Sequence, residues 1–331
     1  MNTDFTQNED REALKPDVLA AHLTTIIDWI RFTISECQRH DVYLGHGTDN
    51  IWDEAQHLVF QALELPLEML NDEQMSNEQK QALYQSHLTL DERFKLCEWV
   101  EQRAHFAKPL PYISHLAWFA RMPFYVDERV LIPRSPFAEL IEKRFSPFLS
   151  QHFNPSHILD MCTGSACIAI ATAREYPDAA IDAVDIDMDA LEVASINVAH
   201  YQLEERVYPI CSDLFTELQG QKYDLIIANP PYVDAPDMAD LPKEYHHEPQ
   251  HALASGYDGL DLSMQIVTQA VEHLCDDGWL FVEVGNSEVN FKERFKELEV
   301  RWCELTRGGS GIFAISKAQL LAQQDILDEL E

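Results

Sequence analysis

From Ser135 to its end, the 331-residue chain alternates short apolar runs with amphipathic stretches. That alternation limits the fold more than any other feature, because strands separated by helix-length segments build a parallel sheet with helices on both faces. Strands are expected at His157–Met161, Ala180–Asp185, Val207–Ile210, Tyr223–Ala228 and Trp279–Val284. Helices are expected at Ser165–Glu175, Asp189–Tyr201 and Leu260–Cys275 between them, with two further strands over 300–306 and 311–316. The expected class is α/β, a Rossmann-like, mostly parallel seven-stranded sheet.

Upstream the pattern changes. Val18, Leu19, His22, Leu23, Ile26, Ile27 and Ile30 recur at intervals of three and four, which predicts one amphipathic helix. Thr48-Asp49-Asn50 offers capping side chains to a second helix through Ile51, Trp52, Leu58, Val59 and Leu63. Asp91–Phe106 predicts a third. Residues 1–108 therefore read as a helical domain. Over 109–134, Pro111, Pro123 and Pro133 interrupt the chain, and Phe124–Pro133 resembles a strand, a turn at Asp127-Glu128 and a second strand. This stretch is expected to be a β-hairpin linker to a third part, residues 135–331.

Charge narrows the partners. The formal net charge is −33, with −10 on residues 1–121 and −23 on the remainder. Non-specific nucleic-acid binding depends on lysine and arginine neutralising phosphates, so the long-range field has the wrong sign for DNA. The first seventeen residues are polar and acidic, without the features of a signal peptide, and no apolar run approaches the roughly 18 residues of a membrane span. The seven cysteines contain no CxxC pair, so buried reduced thiols and a cytoplasmic location are expected, with no membrane contact.

Four strand ends carry the chemistry. The first strand runs through Asp160 into Met161-Cys-Thr-Gly-Ser-Ala166, a turn with one glycine, Gly164, where the dinucleotide fingerprint has three. In doubly wound sheets a nucleotide-like ligand lies against this turn. The second strand ends at Asp185, 21 residues after Gly164, the spacing at which a carboxylate accepts hydrogen bonds from ribose hydroxyls. Asp187 and Asp189 suit capping of the next helix. The third strand is followed by Cys211-Ser-Asp-Leu-Phe215, where Asp213 could accept from an adenine amino group.

The fourth is the most specific. Tyr223–Ala228 runs straight into Asn229-Pro230-Pro231-Tyr232. Two prolines fix φ and donate no N–H, so the loop is stiff. It can present the Asn229 side-chain oxygen and the Pro230 carbonyl as two acceptors to one planar NH₂ group, leaving the nitrogen lone pair free, while Tyr232 offers a face for stacking.

At this point residues 135–331 resemble a class I S-adenosylmethionine-dependent methyltransferase, and NPPY is similar to the motif of those methylating planar amino nitrogens. Ile132-Pro-Arg-Ser-Pro-Phe-Ala-Glu139 resembles the IPR segment of protein N5-glutamine methyltransferases, and Glu248-Pro249, Ala252-Leu253 and Gly256–Leu260 resemble that family's stretch after NPPY. The helical N-terminal part fits too, so the resemblance covers nearly the whole chain. The resemblance implies S-adenosylmethionine held by Asp160, Cys162, Thr163, Gly164, Ser165, Ala166, Asp185, Ile186, Asp213, Leu214 and Asn229. It implies catalysis at Asn229, Pro230 and Tyr232, with Pro231 and Arg134 joining them around the substrate, and no metal. Release-factor enzymes usually read IPRPDTE and carry glycine in place of Cys162. The turn here is closer to the group acting on large-subunit ribosomal protein L-three, a basic protein partner that an acidic chain would attract. Ala166 stands where glycine is usual, and Leu214 where release-factor enzymes often have an aromatic.

Two other readings stay open at this stage: release-factor methylation, and amino methylation of adenine or guanine in nucleic acid, which would need a basic groove and base flipping. His247-Glu-Pro-Gln-His251 matches HExxH, but Pro249 would break the helix that a zinc site of this type requires.

Overall fold

The computed structural model describes residues 15–72 and 74–329; the acidic stretch 1–14 lies outside them. The chain divides into two compact units, the first ending at Ser114 and the second beginning at His115.

The first unit is helical: α1 (Pro16–His22), α2 (Ile26–Arg39), α3 (Ile51–Ala62), α4 (Asn77–Tyr84), α5 (Leu90–Val100) and α6 (Leu110–Ser114). The single helix expected over Val18–Ile30 is two. Thr25 is extended, and its side chain and that of Asp28 cap each other's backbone N–H groups. Such a reciprocal cap starts a new helix even where apolar periodicity runs on. Asn50 caps α3 as expected, accepting from the Asp53 N–H at 2.9 Å. The predicted Asp91–Phe106 helix is α5 followed by a π-turn over Glu101–His105. Trp29, Ile30, Leu58, Val59, Phe60, Leu96 and Val100 form the core of this unit.

In the second unit β1 (Ala117–Phe119) and β2 (Met122–Phe124) form an antiparallel hairpin. It therefore precedes the Phe124–Pro133 hairpin that the sequence predicts, and its turn is Ala120-Arg121, both left-handed at φ 46° and 63°. After α7 (Phe137–Glu142) come β3 (His157–Met161), α8 (Cys167–Glu175), β4 (Ala180–Asp185), α9 (Met188–His200), β5 (Val207–Cys211), β6 (Tyr223–Ala228), α10 (Ala235–Ala239), α11 (Asp261–His273), β7 (Leu274–Glu283), β8 (Arg301–Trp302) and β9 (Ile312–Ser316).

The seven-stranded sheet has the order β5-β4-β3-β6-β7-β9-β8; the first five are parallel, and β9 is antiparallel to both its neighbours. Alternate residues feed two cores. Ile158, Ile181, Leu225 and Phe281 belong to one, and Leu159, Val184, Ile226 and Leu280 to the other. Burial on both faces is why these strands read as continuous apolar runs. β3 has β4 on one side and β6 on the other, so the strand order reverses there and the carboxyl ends of β3, β4 and β6 border a crevice. Among the described residues no helix is long and apolar enough to cross a membrane.

Candidate functional site

A cavity of about 190 Å³ opens in that crevice. Its lining includes Arg134, Cys162, Thr163, Gly164, Ser165, Asp185, Ile186, Asp213, Leu214, Asn229 and Pro231, eleven residues singled out from the sequence. Asp160, Ala166, Pro230 and Tyr232 support it from behind or beside and do not line it.

The turn after β3 is held in an uncommon conformation. Cys162, Gly164 and Ala166 all have φ between 54° and 61°. Asp160, fully buried, organises the turn: it accepts from the Thr163 hydroxyl at 2.5 Å and from the Ala169 N–H at 3.0 Å, both on Oδ2. Burial raises its carboxyl to about 7. Its Oδ1 is buried without a partner. Asn197, buried on α9, donates to the Ser165 carbonyl and to the Tyr125 carbonyl, each at 3.0 Å, and accepts from the Tyr125 N–H at 2.8 Å.

Asp185 ends β4 and accepts from the Gly164 N–H at 2.8 Å and the Asp187 N–H at 3.1 Å. Burial pushes its carboxyl up, against those hydrogen bonds. Ile186 beside it is largely exposed, while Leu214, left-handed at φ 47°, is buried. Ser212 donates to the Leu214 carbonyl at 2.8 Å and so folds the loop that carries Asp213.

Asn229 follows β6 directly. Its backbone N–H donates to the Met161 carbonyl at 3.3 Å, and its Oδ1 is a buried acceptor with no partner. A buried acceptor left unpaired costs on the order of 1–3 kcal/mol, so a native one calls for an explanation. A donor on a bound ligand would supply it. Tyr232 is half-buried; its hydroxyl donates to Glu283 Oε1 at 3.0 Å. The ring packs on Gly285, where an added Cβ would stand 2.3 Å from Cε2.

Arg134 donates from Nη1 to both oxygens of Glu248, each at 2.9 Å, and its guanidinium lies over the Tyr245 ring. The Glu248 side chain is fully buried and also accepts from the Ile132 N–H at 3.2 Å. The IPR segment is thus tied to the loop after NPPY. This pairing disposes of the HExxH reading as well. Residues 243–247 and 250–252 are separate 3₁₀ turns, Glu248 is committed to Arg134, and His251 pairs with Asp187 at 2.9 Å.

A family model described as "Methyltransferase small domain" matches residues 144–257. The chain is 45% identical over 304 residues to the ribosomal protein uL3 glutamine methyltransferase of Francisella tularensis, covering 92% of this chain and 94% of that one. It is 43% identical over 306 residues to the enzyme of the same name from Neisseria gonorrhoeae, covering 92% and 98%. The chain belongs to the uL3 glutamine methyltransferase family. Its sheet is the class I methyltransferase fold expected from the sequence.

The site suits the cofactor that such an enzyme needs. S-adenosylmethionine offers donors in its ribose hydroxyls, adenine amino group and ammonium. The crevice offers the carboxylates of Asp185 and Asp213. Replacing Asp185 with alanine is expected to weaken S-adenosylmethionine binding about tenfold to a hundredfold, the worth of one hydrogen bond to a charged group. Asp185→Asn, which keeps an acceptor, should lose less. Isothermal titration calorimetry reads both, and unchanged affinity would remove Asp185 from the ribose site.

One residue that ties the two sides of this site together was not singled out from the sequence. Glu283 is the buried carboxylate that joins Ser135 on the IPR side to Tyr232 on the NPPY side. Burial lifts it to about 7. It ends β7 just as Asp160 and Asp185 stand at or near the ends of β3 and β4, so a carboxylate closing an apolar strand was the available signal.

Proposed function

We propose that this protein transfers a methyl group from S-adenosylmethionine to the side-chain amide nitrogen (N5) of a glutamine in large-subunit ribosomal protein uL3, the protein L-three expected above. The buried, unpartnered Asn229 Oδ1 on a cavity-lining residue carries this reading. The names of its relatives select the protein substrate. S-adenosylmethionine would supply an electrophilic methyl group on a sulfonium.

The roles of the chain's own groups follow. An amide nitrogen is a poor nucleophile because its lone pair is delocalised, so positioning contributes most of the rate. Asn229 Oδ1 and the Pro230 carbonyl accept the two amide protons, which orients the NH₂ plane and stabilises positive charge developing on nitrogen. The prolines keep both acceptors fixed. Tyr232, with its hydroxyl tied to Glu283, offers its ring to the amide. Arg134 braces the substrate side through Glu248. No general base is required, since the methylated nitrogen is acidic enough to lose its proton to water.

Residues 1–108 are assigned the recognition of the protein substrate, joined through 109–134 to the methyltransferase domain 135–331, and the enzyme is placed in the cytoplasm. The −33 charge supports a basic partner and disfavours DNA. The test offers labelled S-adenosylmethionine with uL3, release factors, DNA and ribosomal RNA as acceptors. Label is expected on uL3, with turnover falling several-fold as salt rises. Label on release factors or nucleic acid instead would overturn the substrate, and salt-independent turnover would leave the charge a solubility feature.

A further inference from the structure

The first unit brings together three metal-ligand side chains that the methyltransferase chemistry does not use. Glu36 stands in the last turn of α2 and His40 caps its end, four residues apart and so on one helix face. His105 ends the π-turn that follows α5. His105 Nε2 is 3.2 Å from Glu36 Oε2, and His40 Nε2 is 3.8 Å from the same oxygen. The two imidazoles stack, with centroids 4.1 Å apart and planes 28° apart. One ligand atom from each of the three residues lies within 4.8 Å of the others.

We propose that Glu36, His40 and His105 bind a divalent cation of the zinc class, with water in a fourth position. Two imidazole nitrogens and one carboxylate oxygen are a donor set that zinc takes readily. Tetrahedral bonds of about 2.0–2.1 Å put neighbouring ligand atoms about 3.3 Å apart, and the two measured separations straddle that value. The carboxylate is already split for the task. Arg39 holds Oε1, while Oε2 faces both imidazoles. A hydrogen bond to the free oxygen of a ligating carboxylate is the usual outer support of a metal site. The π-turn contributes as well. Its extra residue per turn shifts His105 off the α5 register, and such turns concentrate at functional sites.

This set is not legible in the sequence, because His40 and His105 fall 65 residues apart on two elements and a Glu-His pair at i,i+4 is common in a helix. A cation here would fasten the end of α2 to the turn after α5 and stabilise the first unit by mass action.

The full-length protein, stripped with a chelator, would be titrated with ZnCl₂ against a competing chromophoric chelator and melted at each ratio. One zinc per chain is expected, with a melting temperature that rises until that ratio is reached. His105→Ala and His40→Gln should each weaken binding about 100-fold and abolish the rise. His40→Gln, at the helix end, carries the test if the His105 variant fails to fold. Absence of stoichiometric binding would overturn the proposal. So would zinc held with undiminished affinity by the folded histidine variants, which would assign the metal to other ligands.

Discussion

Replacing Asn229 with alanine is expected to lower the rate of methyl transfer about 10²–10³-fold, the range seen when one fixed polar group that stabilises transition-state charge is removed. S-adenosylmethionine binding should change little, because the cavity-lining carboxylates Asp185 and Asp213 remain. The fall should lie in kcat, since the lost contact orients the acceptor amide in the reacting complex. The variant should also be no less stable than the parent, and slightly more so if anything, because a buried acceptor without a partner is removed with the side chain. Single-turnover labelling, calorimetric titration with cofactor and thermal unfolding separate the three quantities. A fully active Asn229→Ala enzyme would refute the assigned role, and a fall in cofactor affinity as large as the fall in rate would move Asn229 from the acceptor to the cofactor.

The second large effect is structural. Arg134→Ala takes from the fully buried Glu248 side chain its guanidinium partner and leaves the Ile132 N–H in place. Breaking a buried pair in this one-sided way costs about 3–5 kcal/mol. In a unit of this size that lowers the melting temperature by roughly 6–20 °C. The double change Arg134→Ala with Glu248→Gln removes the stranded charge and should restore much of the loss. Activity should stay low in both, because the tie between the IPR segment and the loop after NPPY is gone. Differential scanning calorimetry decides the matter, and a single variant as stable as the parent would show that the pair does not hold the two segments together.

The parallel strands were legible because both faces are buried and the apolar runs are unbroken. β8 and the first half of β7 were less so. β8 is two residues long, and β7 starts at Leu274, five residues before the predicted Trp279, with its register broken opposite Tyr223–Leu225. The hairpin was misplaced for a different reason. Val126, Val130 and Ile132 are buried and look strand-like, yet that backbone is held by side chains: Asn197 on Tyr125, Asp127 on Arg129 and Glu248 on Ile132. The actual turn uses Ala120 and Arg121 in left-handed conformations that ordinarily call for asparagine or glycine, so no turn signal is present.

For the site, the strand ends were readable one at a time and their partnerships were not. Asp185, Asp213 and Asn229 fall where the spacing puts them, on one cavity. Arg134 was read from its motif, but its partner Glu248 lies 114 residues away, and Ser135 and Glu283 are 148 apart. Such pairs are set by the sheet's topology, and one sequence carries no direct record of it.

Cys162, Ala166 and Leu214 adopt backbone angles that glycine would adopt at no strain, at a cost of about 1–2 kcal/mol each. Glycine would relieve the strain and also loosen the loops. With bulkier residues the crevice is rigid before any ligand arrives. Little disorder then remains to be lost on binding, so affinity for the nucleoside is set mainly by contacts rather than by loop ordering. Exchanging these residues for glycine would relieve the backbone strain but return to the loops a freedom that binding would then have to remove.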